Sequence, residues 1–265
     1  MITSMANPRV KQVIQWQTKA KERRKDKVFI IEGSKMFEEA PGELLKEVYV
    51  SEGFLAGRGE TYREKLVQGG YICEEVSEEV FRKMSDTQSP QGILAVLRQP
   101  EYDLQEILQK SIKKHPFLFM ILENLQDPGN LGTIMRTAEG AGVTAVIMSS
   151  TTVDLFNPKV IRATMGSVYR VPFLYEDNLI DTLRILHENG VRSYAAHLQG
   201  KNYYDSFSFR EPTAFLIGNE GNGLTDELAQ AATAYLKIPM EGRVESLNAS
   251  VAAALLMYEA HRQRA

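Results

Sequence analysis

The sequence predicts an α/β protein, and three observations support this fold class. Apolar, strand-like runs alternate with helix-like segments along most of the 265 residues. The apolar run Phe117–Leu122 is continuous, which is typical of a parallel strand buried on both faces. Glycines and small polar residues follow several of these runs, where parallel sheets expose backbone groups to ligands. We therefore expect a mostly parallel sheet, covered by helices on both sides, in the C-terminal half.

Two domains are predicted. A chain of this length with 43% hydrophobic residues can bury more than one core. Residues 1–98 are expected to form a smaller α/β domain, residues 99–115 a linker, and residues 116–265 a larger α/β domain. Pro100 and Pro116 interrupt regular structure at the two ends of the linker, which is why the boundaries are placed there.

The first domain is predicted to begin with a helix, because Asn7 can cap it and Pro8 suits its first position. The rest of this domain alternates between strand and helix. The predicted strands are Val28–Ile31, Val48–Val50, Tyr71–Val76 and Ile93–Leu97, and the predicted helices are Ser34–Leu45, Glu60–Gln68 and Ser77–Met84. The aromatic residues expected in its core are Trp16, Phe29 and Phe37.

In the second domain, Phe117–Leu122 is followed by further strands with helices between them. The predicted strands are Ala145–Met148, Val168–Pro172, Ser193–Ala196, Ala214–Ile217 and Ala234–Ile238. The predicted helices cover about residues 132–141, 157–164, 178–189, 226–232 and 247–263.

Three segments of the second domain, far apart in sequence, are predicted to form one nucleotide-type site. They are Leu122–Gly142, Phe215–Leu224 and Ile238–Leu255. Each places glycines or small polar residues after a strand-like run and before a helix-like one, where open α/β sheets bind ligands. Glycines in the second segment let the backbone approach a flat ligand. That segment matches neither the dinucleotide fingerprint G-x-G-x-x-G nor a P-loop, so a dinucleotide or triphosphate site fits poorly.

Simpler interpretations of the same residues stay open. The Gly-rich segment can be an ordinary turn, and Ser246 can be the N-cap of the last helix. Arg136 and Glu139 lie three residues apart on one helix face, where a surface ion pair would explain them.

Charge is distributed unevenly along the chain. The net charge is −3, yet residues 1–30 hold eight Lys or Arg against two acidic residues. A basic segment on an acidic body predicts contact with a polyanion at one end of the molecule. The alternative is that these residues form a solvated helix face. Arg162 in the second domain can likewise contact a polyanion or be a solvated helix residue.

Several other classes of protein are disfavoured. Cys73 is the single cysteine, so no disulfide can form within a monomer, which suits a reducing cytoplasm. The four histidines show no metal-ligand spacing. No apolar run approaches the ~18 residues of a membrane span, and no apolar region typical of a signal peptide follows the N-terminal charges. We expect a cytoplasmic protein without a metal site or a membrane segment.

Together, the three segments resemble the signature motifs of the SpoU (TrmH-like) branch of the SPOUT methyltransferases. Four N-terminal stretches resemble the substrate-binding domain of its ribosomal RNA members: Asn7–Lys11, Arg23–Lys25, Phe29–Gly33 and Gln91–Ile93. The resemblance covers nearly the whole chain. It implies a parallel-sheet C-terminal domain with a trefoil knot, a rare exception to the rule against threaded chains. It also implies a smaller N-terminal α/β domain of the L30e/L7Ae RNA-binding type.

The same resemblance implies an activity and partners. Family members transfer a methyl group from S-adenosylmethionine (AdoMet) to a ribose 2′-OH of RNA, without a metal, and pair as homodimers through the knotted domain. The separate N-terminal domain favours 23S ribosomal RNA as the substrate, with tRNA as the alternative. The alternatives outside this activity are a non-catalytic RNA-binding ribosome assembly factor and a nucleotide-using metabolic enzyme.

Site residues follow from the resemblance position by position. The residues around the methyl-transfer centre would be Arg136, Asn130, Glu220, Ser246 and Asn248. Those that hold the cofactor would be Gly218, Asn219, Gly221, Ile238, Met240 and Leu247. The residues expected to contact RNA come from the basic N-terminal segment and from a family-like stretch around Arg162: Arg9, Lys11, Arg23, Arg24, Lys25 and Arg162.

The role of Arg136 has two interpretations. Family proposals make the matching arginine a base, but a guanidinium normally stays protonated, so this role would require burial and neighbouring cations. The alternative is a bidentate phosphate clamp that also stabilises developing charge, and we favour it. Asn130 and Asn248 are expected to orient the ribose or Ser246, and Glu220 to hold Arg136 or to order the cofactor loop.

Overall fold

The structure is a computed structural model that describes residues 1–109 and 116–265. Residues 110–115, which belong to the predicted linker, lie outside the described residues. The chain divides into two compact units. One comprises residues 1–100 together with 154–169, and the other comprises residues 101–153 together with 170–265.

Strands and helices alternate through both units, as the sequence predicts. The strands are β1 (Val28–Glu32), β2 (Leu45–Ser51), β3 (Ile72–Val76), β4 (Ile93–Arg98), β5 (Leu118–Leu122), β6 (Ala145–Ser149), β7 (Phe173–Glu176), β8 (Arg192–Ala196), β9 (Asn202–Tyr203), β10 (Thr213–Ile217) and β11 (Ala234–Lys237). The helices are α1 (Pro8–Thr18), α2 (Ala20–Asp26), α3 (Ser34–Glu39), α4 (Glu52–Gln68), α5 (Glu78–Met84), α6 (Leu104–Gln109), α7 (Pro128–Ala141), α8 (Pro158–Thr164), α9 (Leu179–Glu188), α10 (Asp226–Ala231) and α11 (Ala249–Arg264).

The first unit is built on a four-stranded sheet in the order β1-β4-β2-β3. Strand β4 is antiparallel to β1 and β2, whereas β2 and β3 are parallel. Asn7 caps α1 as predicted, because its side-chain oxygen accepts a hydrogen bond from the Arg9 N–H at 2.9 Å. The three aromatic residues predicted for this core are buried, namely Trp16, Phe29 and Phe37.

Residues 154–169 pack with the first unit, although the sequence places them in the predicted second domain. The Phe156 ring lies 5.0 Å from that of Phe29 on β1, centroid to centroid. The Tyr169 hydroxyl donates to the Met36 carbonyl at 3.1 Å. Most apolar side chains of this segment are buried, and its aromatic residues contact β1 and α3, which local sequence patterns do not reveal.

The second unit contains a seven-stranded sheet in the order β7-β6-β5-β10-β8-β11-β9, with parallel pairing throughout. This confirms the predicted parallel sheet. Strands β5 and β10 are buried along their whole length, as continuous apolar runs require. Within the described ranges, no helix is both long and apolar enough to span a membrane.

Some predicted element boundaries are wrong, for local reasons. The predicted helix Ser34–Leu45 ends at Glu39 because Pro41 lacks the N–H that a continuing helix needs. The predicted strand Val168–Pro172 is not a strand: Ser167–Tyr169 form a short 3-10 turn, and β7 begins at Phe173, which pairs with β6.

Candidate functional site

The carboxyl ends of β8, β10 and β11 surround a cavity of about 410 Å³ in the second unit. This volume is within the range of small-molecule and cofactor sites. All six residues predicted to hold a cofactor line it: Gly218, Asn219, Gly221, Ile238, Met240 and Leu247. The second and third segments thus meet where parallel sheets bind ligands.

The loop after β10 folds back on itself to form one wall of this cavity. Asn219 and Gly223 exchange two backbone hydrogen bonds, each 2.9 Å long. The Asn219 side chain accepts from the N–H groups of Gly221 and Asn222 at 2.9 and 3.0 Å. A Cβ atom on Gly218 would overlap the backbone of Gly223. The wall is therefore a tight turn that requires glycine at Gly218.

Glu220 joins this loop to the first turn of α7. One carboxylate oxygen accepts from the Asp127 N–H at 2.9 Å and from Asn130 Nδ2 at 3.0 Å. The other accepts from the Gln126 N–H at 3.0 Å. Glu220 therefore ties the loop after β10 to the start of α7, which is the arrangement that its second predicted role requires.

Asn130 extends this network to the third segment. Its Oδ1 accepts from Asn248 Nδ2 at 2.9 Å, and Asn248 Oδ1 accepts from the N–H of Ser250 at 2.9 Å. A carboxylate can only accept, so Glu220 requires the amide nitrogen of Asn130 to face it, and the orientation of both asparagines follows. One chain of hydrogen bonds thus links all three segments.

Ser246 and Arg136 are not part of this hydrogen-bond network. Ser246 lines the cavity, and Asn248, not Ser246, is the N-cap of α11. Arg136 is exposed on α7, and among the described residues it has no hydrogen bond or ion pair. Glu139, its suggested ion-pair partner, pairs instead with Arg170. The predicted interaction between Glu220 and Arg136 is therefore wrong, because the Glu220 carboxylate accepts from Gln126, Asp127 and Asn130.

Most of the residues predicted to contact RNA lie on the surface of the first unit. Those with no described partner are Lys11, Arg24 and Lys25, all exposed. Arg9 pairs with Glu74 and keeps 46% of its side chain exposed. Arg162 pairs with Asp86 at 2.6 Å and keeps 36% exposed. Surface pairs of this kind are weak and can exchange for phosphate.

Arg23 is the exception, because it is buried. Its guanidinium pairs with Asp154 at 2.7 Å, with only 4% of the side chain exposed. It also donates to the carbonyl oxygens of Trp16 and Gln17 at 2.6 and 3.2 Å. This side chain stabilises the first unit and does not face RNA, which corrects the prediction.

Sequence reasoning missed two contributors to the site. His197 follows β8 and lines the cavity, with its ring 4.9 Å from that of Tyr235. Glu123 follows β5 and is buried, with its carboxylate bound to Thr225. An acidic residue directly after a buried strand was the available signal for Glu123. For His197 the signal was its position at the end of β8.

Comparison with known proteins identifies the family. Residues 118–258 match the model of the SpoU rRNA Methylase family, and residues 7–95 match an MRM3-like substrate binding domain. The chain belongs to the SpoU rRNA methylase family. This confirms the resemblance found in the sequence.

Relatives of this SpoU protein include two curated bacterial enzymes. The chain is 36% identical over 97% of both sequences to the 23S rRNA (guanosine(2553)-2′-O)-methyltransferase RlmP of Bacillus subtilis. It is 34% identical to the 23S rRNA (guanosine-2′-O-)-methyltransferase RlmB of Bordetella pertussis, over 84% of this chain and 91% of that protein. A similar solved structure is the AdoMet-bound rRNA methyltransferase from Sinorhizobium meliloti, with 32% identity, a TM-score of 0.86, and coverage of 98% and 97% of the two chains.

The cavity of this SpoU protein fits AdoMet chemically. Partly exposed apolar residues of the lining suit a flat adenine ring, and they include Ile238, Met240 and Leu247. Glu220 and Glu245 are also among the lining residues, and their negative charge suits a positively charged ligand. The backbone of the β10 loop supplies hydrogen-bond donors and acceptors at its wall.

Glu220 gives the site a pH dependence. Partial burial raises the pKa of this carboxyl group, but hydrogen bonds from Asn130 and from the N–H groups of Asp127 and Gln126 outweigh it, so the pKa lies below its usual range. The pKa of Glu220 is lower in the folded state than in the unfolded state. The ionised carboxylate therefore stabilises the folded protein at pH values above the unfolded pKa, and this stabilisation is lost as the pH falls through the folded pKa. Glu220→Gln should lower the free energy of unfolding at neutral pH, and the difference from the parent should shrink below about pH 4.

Urea unfolding of both proteins across a pH series measures this difference. Glu241→Gln is the control, because Glu241 is an exposed carboxylate in the loop before α11 that has no bond to any described residue. A difference between parent and Glu220→Gln that stays constant from neutral to acid pH would contradict the role of the ionised carboxylate.

Proposed function

We propose that this protein transfers the methyl group of AdoMet to a ribose 2′-OH of 23S ribosomal RNA. The observation that carries the proposal is a single cavity at the carboxyl ends of parallel strands, lined by all six residues expected to hold the cofactor. The choice of 23S ribosomal RNA rests on the curated relatives, which are named as enzymes acting on it. A ribosomal RNA substrate also implies a cytoplasmic location.

We also propose separate roles for the two predicted domains. Residues 1–98 would bind RNA as a domain of the L30e/L7Ae type, and residues 116–265 would form the knotted methyltransferase domain. The match to a substrate binding domain supports the first role. Exposed cations on α1 and α2 suit phosphate groups, and they include Lys11, Arg24 and Lys25.

The proposed mechanism assigns a task to each polar residue of the site. AdoMet, when bound, supplies an electrophilic methyl group. The ribose 2′-OH is a weak acid, so it must be polarised or deprotonated to attack. Arg136 is solvent-exposed, which favours a bidentate phosphate clamp that stabilises developing charge over a base. Asn130 and Asn248 hold fixed orientations and would position the ribose, and Ser246 would contact it at the edge of the cavity.

We also propose that two copies of the chain pair through α7 and α11. Their outer faces border a groove of about 520 Å³ that contains Thr133 of α7. Three apolar side chains of α11 line it and are unusually exposed: Val251 at 47%, Leu255 at 37% and Tyr258 at 50%. Arg136 lies one turn beyond Thr133 on α7, so a second copy on this face would stand beside it. This agrees with an active site completed near the dimer interface.

Leu255→Glu is expected to weaken this dimer by at least about tenfold, because an unpaired carboxylate would be buried in the interface. Sedimentation equilibrium over a range of concentrations measures the effect. Ile180→Glu is the control, because Ile180 is similarly exposed at 43% but lies on α9. A monomeric parent, or equal association of parent and Leu255→Glu, would contradict the proposed interface.

Methyl transfer from labelled AdoMet tests the activity directly. The purified protein is incubated with ribosomal RNA and tRNA, and modified riboses are mapped in both, together with the RNA of a deletion strain. We expect a 2′-O-methyl group on 23S ribosomal RNA that the deletion strain lacks. Methylation of tRNA alone would establish the alternative substrate, and RNA binding without any transfer would establish a non-catalytic assembly factor.

A further inference from the structure

Glu123 is a buried acidic residue that the proposed mechanism does not use. It follows β5 directly, and only 8% of it is exposed. Both carboxylate oxygens bind the same residue: one accepts from the Thr225 N–H at 2.7 Å and the other from its hydroxyl at 2.8 Å. Burial of a charged group is costly unless its hydrogen bonds are satisfied, and the two bonds to Thr225 offset this cost.

Thr225 ends the loop that forms the cavity wall. This β10 loop (residues 218–225) leads from β10 into α10, and Thr225 is the N-cap of α10 through a bond from the Leu228 N–H. Glu123 therefore fixes the C-terminal end of the β10 loop to the end of β5.

Asn124 fixes the other end of the same loop. Its carbonyl oxygen accepts from Asn219 Nδ2 at 2.8 Å. Asn124 has a left-handed backbone, with φ of 55°, which asparagine tolerates better than most residues. Its N–H donates to Ser149 Oγ at 2.9 Å. Two consecutive residues after β5 thus hold both ends of the β10 loop.

We infer that Glu123 is a positioning residue for AdoMet binding, acting through Thr225 on the β10 loop. The inference rests on the proposed function, since it concerns the same cavity. Seven residues of this loop line the cavity: Gly218, Asn219, Glu220, Gly221, Asn222, Gly223 and Leu224. If the Thr225 end is released, their backbone groups lose the fixed geometry that a preorganised site requires.

The carboxylate is needed for two acceptor bonds at once. A glutamine at position 123 offers one acceptor oxygen, so if that oxygen accepts from the Thr225 N–H, the NH₂ group faces the Thr225 hydroxyl, whose hydrogen must then turn away from residue 123. Both bonds to an ionised acceptor, which are stronger than bonds to a neutral one, would be lost or weakened. Glu123→Gln leaves the volume of the side chain nearly unchanged, so it tests hydrogen bonding and not packing.

The test measures AdoMet affinity by isothermal titration calorimetry in the full-length protein. We expect Glu123→Gln and Thr225→Val each to raise the AdoMet Kd by about tenfold. Thr225→Ser keeps both the hydroxyl group and the helix cap, so it should retain the parent Kd. The double variant should raise the Kd by less than the product of the two single effects, because Glu123 and Thr225 act in part through the bond that they share. The kcat at saturating AdoMet should stay within about twofold of the parent.

Two results would overturn the inference, and they are distinguishable. If the parent binds AdoMet and both Glu123→Gln and Thr225→Val keep its Kd while their melting temperatures fall, Glu123 is only structural. If the parent does not bind AdoMet, the proposed function fails and the inference fails with it. Thr225 is exposed, so Thr225→Val is expected to fold even if Glu123→Gln does not.

Discussion

Gly218→Ala is expected to weaken AdoMet binding strongly while the fold is retained. A Cβ atom at this position would overlap the backbone of Gly223 and the N–H of Leu224, and neither is the end of a flexible side chain. The two hydrogen bonds between Asn219 and Gly223 would have to break so that the turn can open. The cavity wall would then change shape. We expect the AdoMet Kd to rise by about 100-fold or more, which corresponds to about 3 kcal/mol.

Calorimetric titration with AdoMet measures this loss, and circular dichroism checks the fold. Gly242→Ala is the matched control, because a Cβ atom there meets no described atom within 4 Å and Gly242 lies outside the cavity lining. Parent-like affinity in Gly218→Ala would mean that the tight turn is unnecessary and would place the cofactor elsewhere.

Much of the fold could be predicted from the sequence because its signals are local. The pair Asn7 and Pro8 predicted a capped helix, and the structure has one there. The apolar run Phe117–Leu122 predicted a strand buried on both faces, and β5 is buried throughout. The convergence of the second and third segments could also be predicted, because the carboxyl ends of parallel strands meet at one edge of the sheet.

The partners of polar side chains could not be predicted, since they depend on packing between distant elements. Arg23 belongs to a basic stretch in the sequence, but Asp154 neutralises it from 131 residues away. Glu139 lies beside Arg136 on a helix face, yet it pairs with Arg170. The contact between Glu123 and Thr225 spans 102 residues. The sequence thus shows which charged side chains need ion-pair or hydrogen-bond partners, whereas the packing of distant elements determines which residues those partners are.

Arg136→Ala is expected to lower kcat by about 100- to 1,000-fold, as removal of one group that stabilises developing charge typically does. The free energy of unfolding should change by no more than about 0.5 kcal/mol, because Arg136 is exposed and no described residue binds it. The Kd for AdoMet should also stay near the parent value, since Arg136 does not line the cofactor cavity. Single-turnover methylation, calorimetry and urea unfolding separate these three effects.

Arg136→Lys then decides how the guanidinium acts. Lysine keeps the positive charge but lacks the planar fork that binds a phosphate through two parallel hydrogen bonds. If Arg136 is a bidentate clamp, Arg136→Lys should recover only part of the lost rate, and the RNA KM should rise. A lysine variant with near-normal kcat and KM would contradict the clamp. Complete loss of kcat with an unchanged RNA KM would also contradict it, because the planar fork would then act only in the transition state and not in RNA binding.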